Sequence, residues 1–264
     1  MDPGSHKRYH LHEWEPTDFF NAYHSRKTEK YITDETVRFP MEQLYRVAGQ
    51  GKIMGDYLID ISGGCNIYHL LPIFEVFRDI TILEFSDLCV KDLVKWKHRE
   101  SESYDFTHAL SIMEELQGSS FKGNEMENAL RRNISHILKC DFTKENITDP
   151  VVLPKADCVL SVYIFHAVSE DLDDYCRNLK KVSCLLKLGG HLLLFGLFNG
   201  KYYTVGGSKY HILTSDKTSV EEALRDAGFV IEDMEVIESK IRNDTSYWEH
   251  LCFIKALKER NVLV

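Results

Sequence analysis

The sequence predicts an α/β fold built on a mainly parallel sheet, and three observations predict it. Apolar strand patterns and amphipathic helix patterns alternate along the chain, with two strands and no intervening helix at the end. The first strand breaks into a glycine-containing turn, Ser62-Gly63-Gly64. The second and third strands each end at an acidic residue, Glu84 and Cys140-Asp141. In an open parallel sheet ligands collect at the carboxyl edge of the strands, so these features put a binding site there.

Before the first strand, Pro16 opens a helix that carries Phe19, Phe20 and Tyr23 on its apolar side, and a second amphipathic segment spans Glu35 to Val47. Residues 1–50 are therefore expected to cap the active edge of the sheet. The terminus over residues 1–12, with His6, His10 and His12, reads as mobile rather than as a metal site. Tyr57 to Ile61 is the first strand, and Asn66 is predicted to cap a helix running to about Phe77. Ile80 to Leu83 is the second strand; Glu84 follows Gly63 by 21 residues, a spacing that in a βαβ unit sets a carboxylate against a ribose.

A helix over Leu88 to Lys97 precedes a polar insertion, 99–123, that holds one short helix near Phe106 to Leu116. Glu125 to Asn133 is helical, Ile134 to Lys139 is the third strand, and Ala156 to Val162 is the fourth, followed by Tyr163-Ile164-Phe165-His166. A helix over Leu172 to Leu186 is expected to stop at Gly189-Gly190 before a fifth strand, His191 to Phe198. A ribbon over Tyr202 to Val205 and Tyr210 to Leu213, a helix over Ser219 to Ala227, and strands at Phe229 to Ile237 and Tyr247 to Leu257 complete the chain. With no repeat or linker, one domain over 1–264 is preferred.

The 264 residues suffice for a sizeable core, and 44% hydrophobic with 28% charged residues is ordinary for a soluble globule. A net charge of −9 argues against a general nucleic-acid binder. No run approaches 18 apolar residues and no signal-peptide core is present, so no membrane partner is expected and the cytoplasm is the default. The seven cysteines are scattered and include no Cys-x-x-Cys, which fits buried thiols rather than zinc or disulfides.

Several motifs in one order resemble the small-molecule N-methyltransferases that act on nicotinamide, phenylethanolamine and indolethylamine. They are Pro16-Thr17-Asp18-Phe19-Phe20 with Tyr23, Leu58-Ile59-Asp60-Ile61 with Ile67-Tyr68, Phe85-Ser86-Asp87, Lys95-Trp96, Leu138-Lys139-Cys140-Asp141, Leu185-Leu186-Lys187-Leu188-Gly189-Gly190 and Tyr202-Tyr203. The similarity runs from about Trp14 to the C-terminus. It implies a Rossmann-like class I methyltransferase fold: a seven-stranded mainly parallel sheet with an antiparallel last strand and an N-terminal helical cap. It also implies S-adenosyl-L-methionine as cofactor, S-adenosyl-L-homocysteine as product, and a monomer.

On that resemblance Glu84 would accept both ribose hydroxyls, Phe85 would lie against adenine with Ser86 beside it, and Asp141 and the Phe142 amide would meet the adenine edge. Ser62, Gly63, Gly64 and Val162 would approach the methionine part, and Tyr68, Phe19, Tyr23 and His24 would close over it. Departures from the family are visible. Serine replaces the first glycine of the turn at Ser62, Phe19 and His24 stand where ring hydroxyls are usual, and Cys89 stands where asparagine is frequent. The aspartate and serine that orient nicotinamide match Gly196 and Ile212.

Nicotinamide is therefore expected to be a poor substrate, and Gly196→Asp to raise activity toward it if the local geometry is kept. Phe19, Gly196, Leu197, Tyr203 and Ile212 make an apolar aromatic substrate pocket. His166, after the fourth strand, is a candidate base or substrate ligand with a pKa expected near neutrality. The leading expectation is a methyltransferase of small, aromatic amines acting by direct in-line transfer in a closed apolar pocket. Two alternatives are a thioether S-methyltransferase and a degenerate family member with little catalysis.

Overall fold

The computed structural model describes residues 6–9, 12–101, 103–118, 123–241 and 244–262. Its centre is a seven-stranded sheet built from β1 (Tyr57–Asp60), β2 (Asp79–Glu84), β3 (Ile134–Lys139), β4 (Ala156–Val162), β5 (Leu186–Phe198), β8 (Phe229–Glu238) and β10 (His250–Lys258). The order is β3-β2-β1-β4-β5-β10-β8. Neighbouring pairs among the first five are parallel, and β10 alone runs antiparallel to both of its neighbours, from His250 opposite Phe198 to Leu257 opposite His191 against β5. The central strands are covered on both faces: all four residues of β1 are buried, as a continuous apolar run requires in a parallel sheet. Strand order reverses between β1 and β4, which opens a crevice at their carboxyl ends.

Around the sheet lie α4 (Asp87–His98), α5 (Thr107–Gln117), α6 (Gly123–Asn133), the single turn α7 (Phe165–Val168), α8 (Leu172–Leu185) and α9 (Lys217–Asp226). Three of these helices start on a residue that satisfies their free amides: Ser86 accepts from the Leu88 and Cys89 amides of α4, Asp171 from Asp174 of α8, and Asp216 from Ser219 of α9. A small second sheet joins β6 (Tyr202–Val205) to β7 (Ser208–His211) and β9 (Ser246–Tyr247). The chain expected to run as one strand from Tyr247 to Leu257 is thus split, with Trp248 and Glu249 between β9 and β10.

The cap consists of α1 (Pro16–Tyr23), α2 (Lys30–Thr33), a π-turn over Asp34–Arg38 and α3 (Phe39–Gly49). Pro40 cannot donate to the Thr36 carbonyl, and the widened turn accommodates that missing bond. Glu35, inside the π-turn, is buried and accepts from Ser239 Oγ (2.8 Å), Trp248 Nε1 (3.0 Å) and the Lys240 amide. Those bonds tie the cap to the C-terminal half. In the 99–123 insertion, α5 buries Ala109, Leu110, Ile112 and Met113, and Tyr104 stacks on Phe20 of α1 at 4.5 Å.

Three expectations are corrected. The predicted helix from Asn66 to Phe77 is one 3-10 turn, Tyr68–Leu70, followed by further turns. Pro72 has no amide for the Tyr68 carbonyl, which takes a three-residue bond from Leu71 instead (3.2 Å). Gly189-Gly190 does not end α8: the chain passes from Leu185 straight into β5, and Gly189 (φ 78°) bends that strand near its start. Finally, the described part of the N-terminus is packed. Lys7 bridges to β7 through the Lys209 carbonyl (2.9 Å) and the His211 amide (2.8 Å), and Tyr9 is 1% exposed. His6 and His12 lie in described residues; His10 lies outside them.

Candidate functional site

β1 ends at Asp60, whose buried carboxylate accepts from Ser62 Oγ (2.5 Å) and lies 2.7 Å from His69 Nε2. Ser62 Oγ in turn accepts from the Val162 amide (3.1 Å), so the serine pins the turn between β1 and β4. It does so without strain. The left-handed residue of the turn is Gly64 (φ 95°), and Ser62 is not among the residues of positive φ. A Cβ on Gly64 would come within 2.7 Å of the Phe19 ring, so close approach and φ both demand glycine there.

Gly64 presents its amide to Glu84 Oε2 (2.8 Å) at the end of β2. Glu84 Oε1 accepts from the Ser86 amide (2.8 Å) and from the Tyr9 hydroxyl (2.8 Å). Burial pushes this carboxyl up to about 7, offset in part by those donors. Tyr9 stacks on Trp14 (4.9 Å) and tilts against Phe85 (5.4 Å), and Trp14 stacks on Phe19 (4.2 Å). Glu13 accepts from Ser86 Oγ (3.1 Å), and Trp14 Nε1 donates to Tyr203 (3.2 Å). The segment around Tyr9 therefore crosses the mouth of the cleft and occupies the acceptors expected for ribose.

Beneath it is a cavity of about 90 Å³. Its wall brings together Phe19, Tyr23, His24, Ser62, Gly63 and Tyr68 from the cap and first turn. Val162, His166, Leu197, Tyr203 and Ile212 come from the carboxyl ends of β4 and β5 and the following segments. Tyr9, Trp14, Asn66, Tyr163, Trp248 and Leu251 also line it and were not anticipated. Tyr163 holds a left-handed φ of 57° and donates its hydroxyl to the Glu35 carbonyl (3.0 Å). Its position immediately after β4 was the one available signal, since side chains at strand carboxyl ends face ligands in this architecture.

Gly64, Glu84, Phe85, Ser86, Cys89, Asp141, Phe142 and Gly196 do not line that cavity. Glu84, Phe85 and Ser86 lie on the far side of Tyr9. Asp141 caps its own turn, accepting from the Thr143 amide (2.9 Å) and hydroxyl (2.7 Å), which hold it below the usual carboxylate range. Phe142 packs edge-on against Phe165. Cys89 is fully buried at the start of α4, and the Cys65 thiol together with burial pushes its own thiol up. The Tyr23 hydroxyl is committed to β6, donating to the Thr204 carbonyl and accepting from the Thr204 amide, each at 3.1 Å.

His24 is buried, its Nδ1 has no partner among the described residues, and burial drives its pKa down to about 3, helped by His108 and His69. His166 is corrected on one point: burial lowers it to about 4, so it does not titrate near neutrality. Its ring lies against Gly196, where a Cβ would meet His166 Cε1 at 2.9 Å and Cys252 Sγ at 3.1 Å. The space that an aspartate at 196 would need is filled. Among the described residues no group of three or more His, Cys, Asp or Glu is arranged to hold a metal ion, and no helix is long and apolar enough to cross a membrane.

Solved structures share the architecture. The magnesium protoporphyrin IX methyltransferase of Synechocystis PCC 6803 with bound SAM aligns with a TM-score of 0.55 and 12% identity, covering 95% of this chain and 94% of that one. The 1,6-didemethyltoxoflavin-N1-methyltransferase of Burkholderia thailandensis, with its substrate and S-adenosylhomocysteine, aligns with a TM-score of 0.52 and 15% identity over 93% and 87% of the two chains. At such identities the likeness establishes the fold. In sequence, rabbit (Oryctolagus cuniculus) indolethylamine N-methyltransferase is 36% identical over 244 residues, 92% of this chain and 93% of that protein. Human nicotinamide N-methyltransferase is 32% identical over 252 residues, 96% of each. A family profile described as NNMT/PNMT/TEMT matches residues 5–259. With the glycine turn, Glu84 and the cap helices arranged as above, the chain belongs to the NNMT/PNMT/TEMT family of methyltransferases.

Proposed function

We propose that this protein transfers a methyl group from S-adenosylmethionine to the nitrogen of a small aromatic amine. The observation that carries the reading is the pairing of Glu84 with the Gly64 turn at the carboxyl edge, with Tyr9 between it and an aromatic, largely apolar cavity. A buried carboxylate beside backbone amides suits a ribose, and the donor set of this edge fits the cofactor.

When bound, the cofactor supplies an activated methyl on a sulfonium. The chain's own residues then have little chemistry to perform. Glu84 would accept from the ribose hydroxyls in place of the Tyr9 hydroxyl now on Oε1. Ser62, held by Asp60 and the Val162 amide, would keep the turn rigid beside the methionine part, and the neutral His24 imidazole in the cavity wall would donate to its carboxylate. The cap aromatics and Tyr203 exclude water and hold the amine flat, so that alignment in a dry site provides most of the acceleration. The amine arrives with its lone pair free, because no wall residue titrates near neutral pH in a position to remove its proton.

Incubation with S-adenosylmethionine and a panel of aryl amines, nicotinamide and dimethyl sulfide, read by mass spectrometry, tests this. An N-methylated aryl amine is the expected product, with nicotinamide turned over poorly. Methylation of dimethyl sulfide alone makes the protein a thioether S-methyltransferase. One observation favours the reading of a binding protein with little catalysis: the Glu84 acceptors are already taken within the chain. Protein that binds S-adenosylhomocysteine yet methylates nothing in the panel sustains it.

A further inference from the structure

The acceptor side of the cavity carries a polar group that the reaction as described does not use. The His166 ring is 1% exposed and lines the cavity along with the apolar side chains of Ile164, Ala167, Leu197, Ile212 and Leu251. Its position depends on Gly196, whose missing side chain leaves room for the imidazole. Its Nε2 faces the Leu197 amide at 3.4 Å. A backbone N–H can only be met by a lone pair, so Nε2 is the unprotonated nitrogen and the proton of the neutral ring resides on Nδ1.

That Nδ1–H has no acceptor among the described residues. The nearest polar ring, Tyr175, lies 5.4 Å away centroid to centroid, and its hydroxyl is likewise unpartnered. A buried donor left unmet is costly, and apolar neighbours offer nothing to meet it. We propose that the His166 Nδ1–H is a specificity-determining donor that selects methyl acceptors carrying a second heteroatom, a carbonyl, hydroxyl or ring-nitrogen acceptor, besides the reacting nitrogen. The inference rests on the cavity being the acceptor site of a methyltransferase. It excludes the general-base role, because the only lone pair of the ring is turned toward Leu197. It also accounts for Gly196: the protein reads its substrate with an imidazole from α7 instead of a carboxylate from β5.

Two measurements test it. Nitrogen-15 NMR of histidine-labelled protein at pH 7 is expected to show His166 with a protonated Nδ1 and an unprotonated Nε2; the reverse tautomer, or a charged ring, overturns the proposal. Calorimetry on protein saturated with S-adenosylhomocysteine then compares 3-aminoacetophenone with 3-ethylaniline, which differ by a carbonyl in place of a methylene. Wild type is expected to prefer the ketone by about tenfold, roughly 1.4 kcal/mol. His166→Asn, whose amide reproduces the Nδ1 donor, is expected to keep most of that preference, and His166→Gln, which reproduces Nε2, to lose it. Binding of neither probe, equal binding of both, or a preference retained by all variants overturns the inference while leaving cofactor binding intact. Failure of wild type to bind S-adenosylhomocysteine defeats the functional reading itself.

Discussion

The two halves of the cleft differ in how fully their central polar groups, Glu84 and His166, are satisfied. On the cofactor side Glu84 accepts three internal bonds, from Tyr9, Gly64 and Ser86, and Asp60 accepts from Ser62 beside His69. On the acceptor side His166 Nδ1 and, behind its ring, the Tyr175 hydroxyl have no partners among the described residues; His24 Nδ1, His69 Nδ1 and Asn66 Oδ1, nearer the first turn, also lack one. The difference teaches where ligands must compete and where they are awaited. On the proposed assignment a ribose would have to displace a tyrosine hydroxyl from Glu84, whereas an acceptor molecule would relieve a desolvation cost that the folded chain already bears.

The sharpest way to break this comparison is at Glu84. Glu84→Ala removes the acceptor proposed for ribose, whose charge-assisted bonds would each be worth about 1.5–3 kcal/mol, so S-adenosylhomocysteine affinity is expected to fall by about 100-fold or more in calorimetry. Unchanged affinity would mean that ribose lies elsewhere.

Next in size is Gly196→Asp. The added Cβ meets His166 and Cys252 at 2.9 and 3.1 Å. Overpacking of this kind costs about 1–3 kcal/mol, so a melting-temperature fall of several degrees is expected, with no gain in nicotinamide turnover. Combining it with His166→Ala is expected to recover most of the loss, and strictly additive losses would show that the two residues do not share the space.

Tyr9→Phe sharpens the cofactor side. It removes one of the two donors on Glu84 Oε1 while keeping the stacking on Trp14, and S-adenosylhomocysteine is expected to bind a few-fold more tightly. Weaker binding would make the Tyr9 segment a lid that holds the ligand instead of a competitor for its site.

A separate test is stability against pH. Glu84 has its folded pKa raised from 4.5 to about 7, so its contribution is fully present below the unfolded value and is lost as pH rises through about 7. Denaturant titrations from pH 4.5 to 8 are expected to show a decline in that window that Glu84→Gln abolishes. A decline of the same size in the variant would trace it to other groups.

Much of the scaffold was legible because its signals are local. The apolar runs of β3 and β4 give their bounds, and the pairing of Glu84 with the glycine turn follows from βαβ spacing. The segment after Asn66 misled because its apolar spacing suits a helix, while Pro72 withholds one donor and makes successive 3-10 turns the better arrangement. The role of Tyr9 was illegible: its bond to Glu84 spans 75 residues and rests on the path of the N-terminal strap alongside β7. His166 was legible as a candidate base or substrate ligand, but its low pKa comes from burial and its place from the absence of a side chain at Gly196 on another strand. Departures from the family pattern located the unusual sites, but packing decides what each departure does.

Thermal unfolding with and without S-adenosylhomocysteine, on wild type and Glu84→Ala side by side, tests the central claim most directly. A ligand at about 100 times its dissociation constant stabilises by about 2.7 kcal/mol. A clear rise in the wild type that the variant lacks at the same concentration is the expected result. No rise in the wild type at millimolar ligand would contradict the assignment of this edge as a cofactor site.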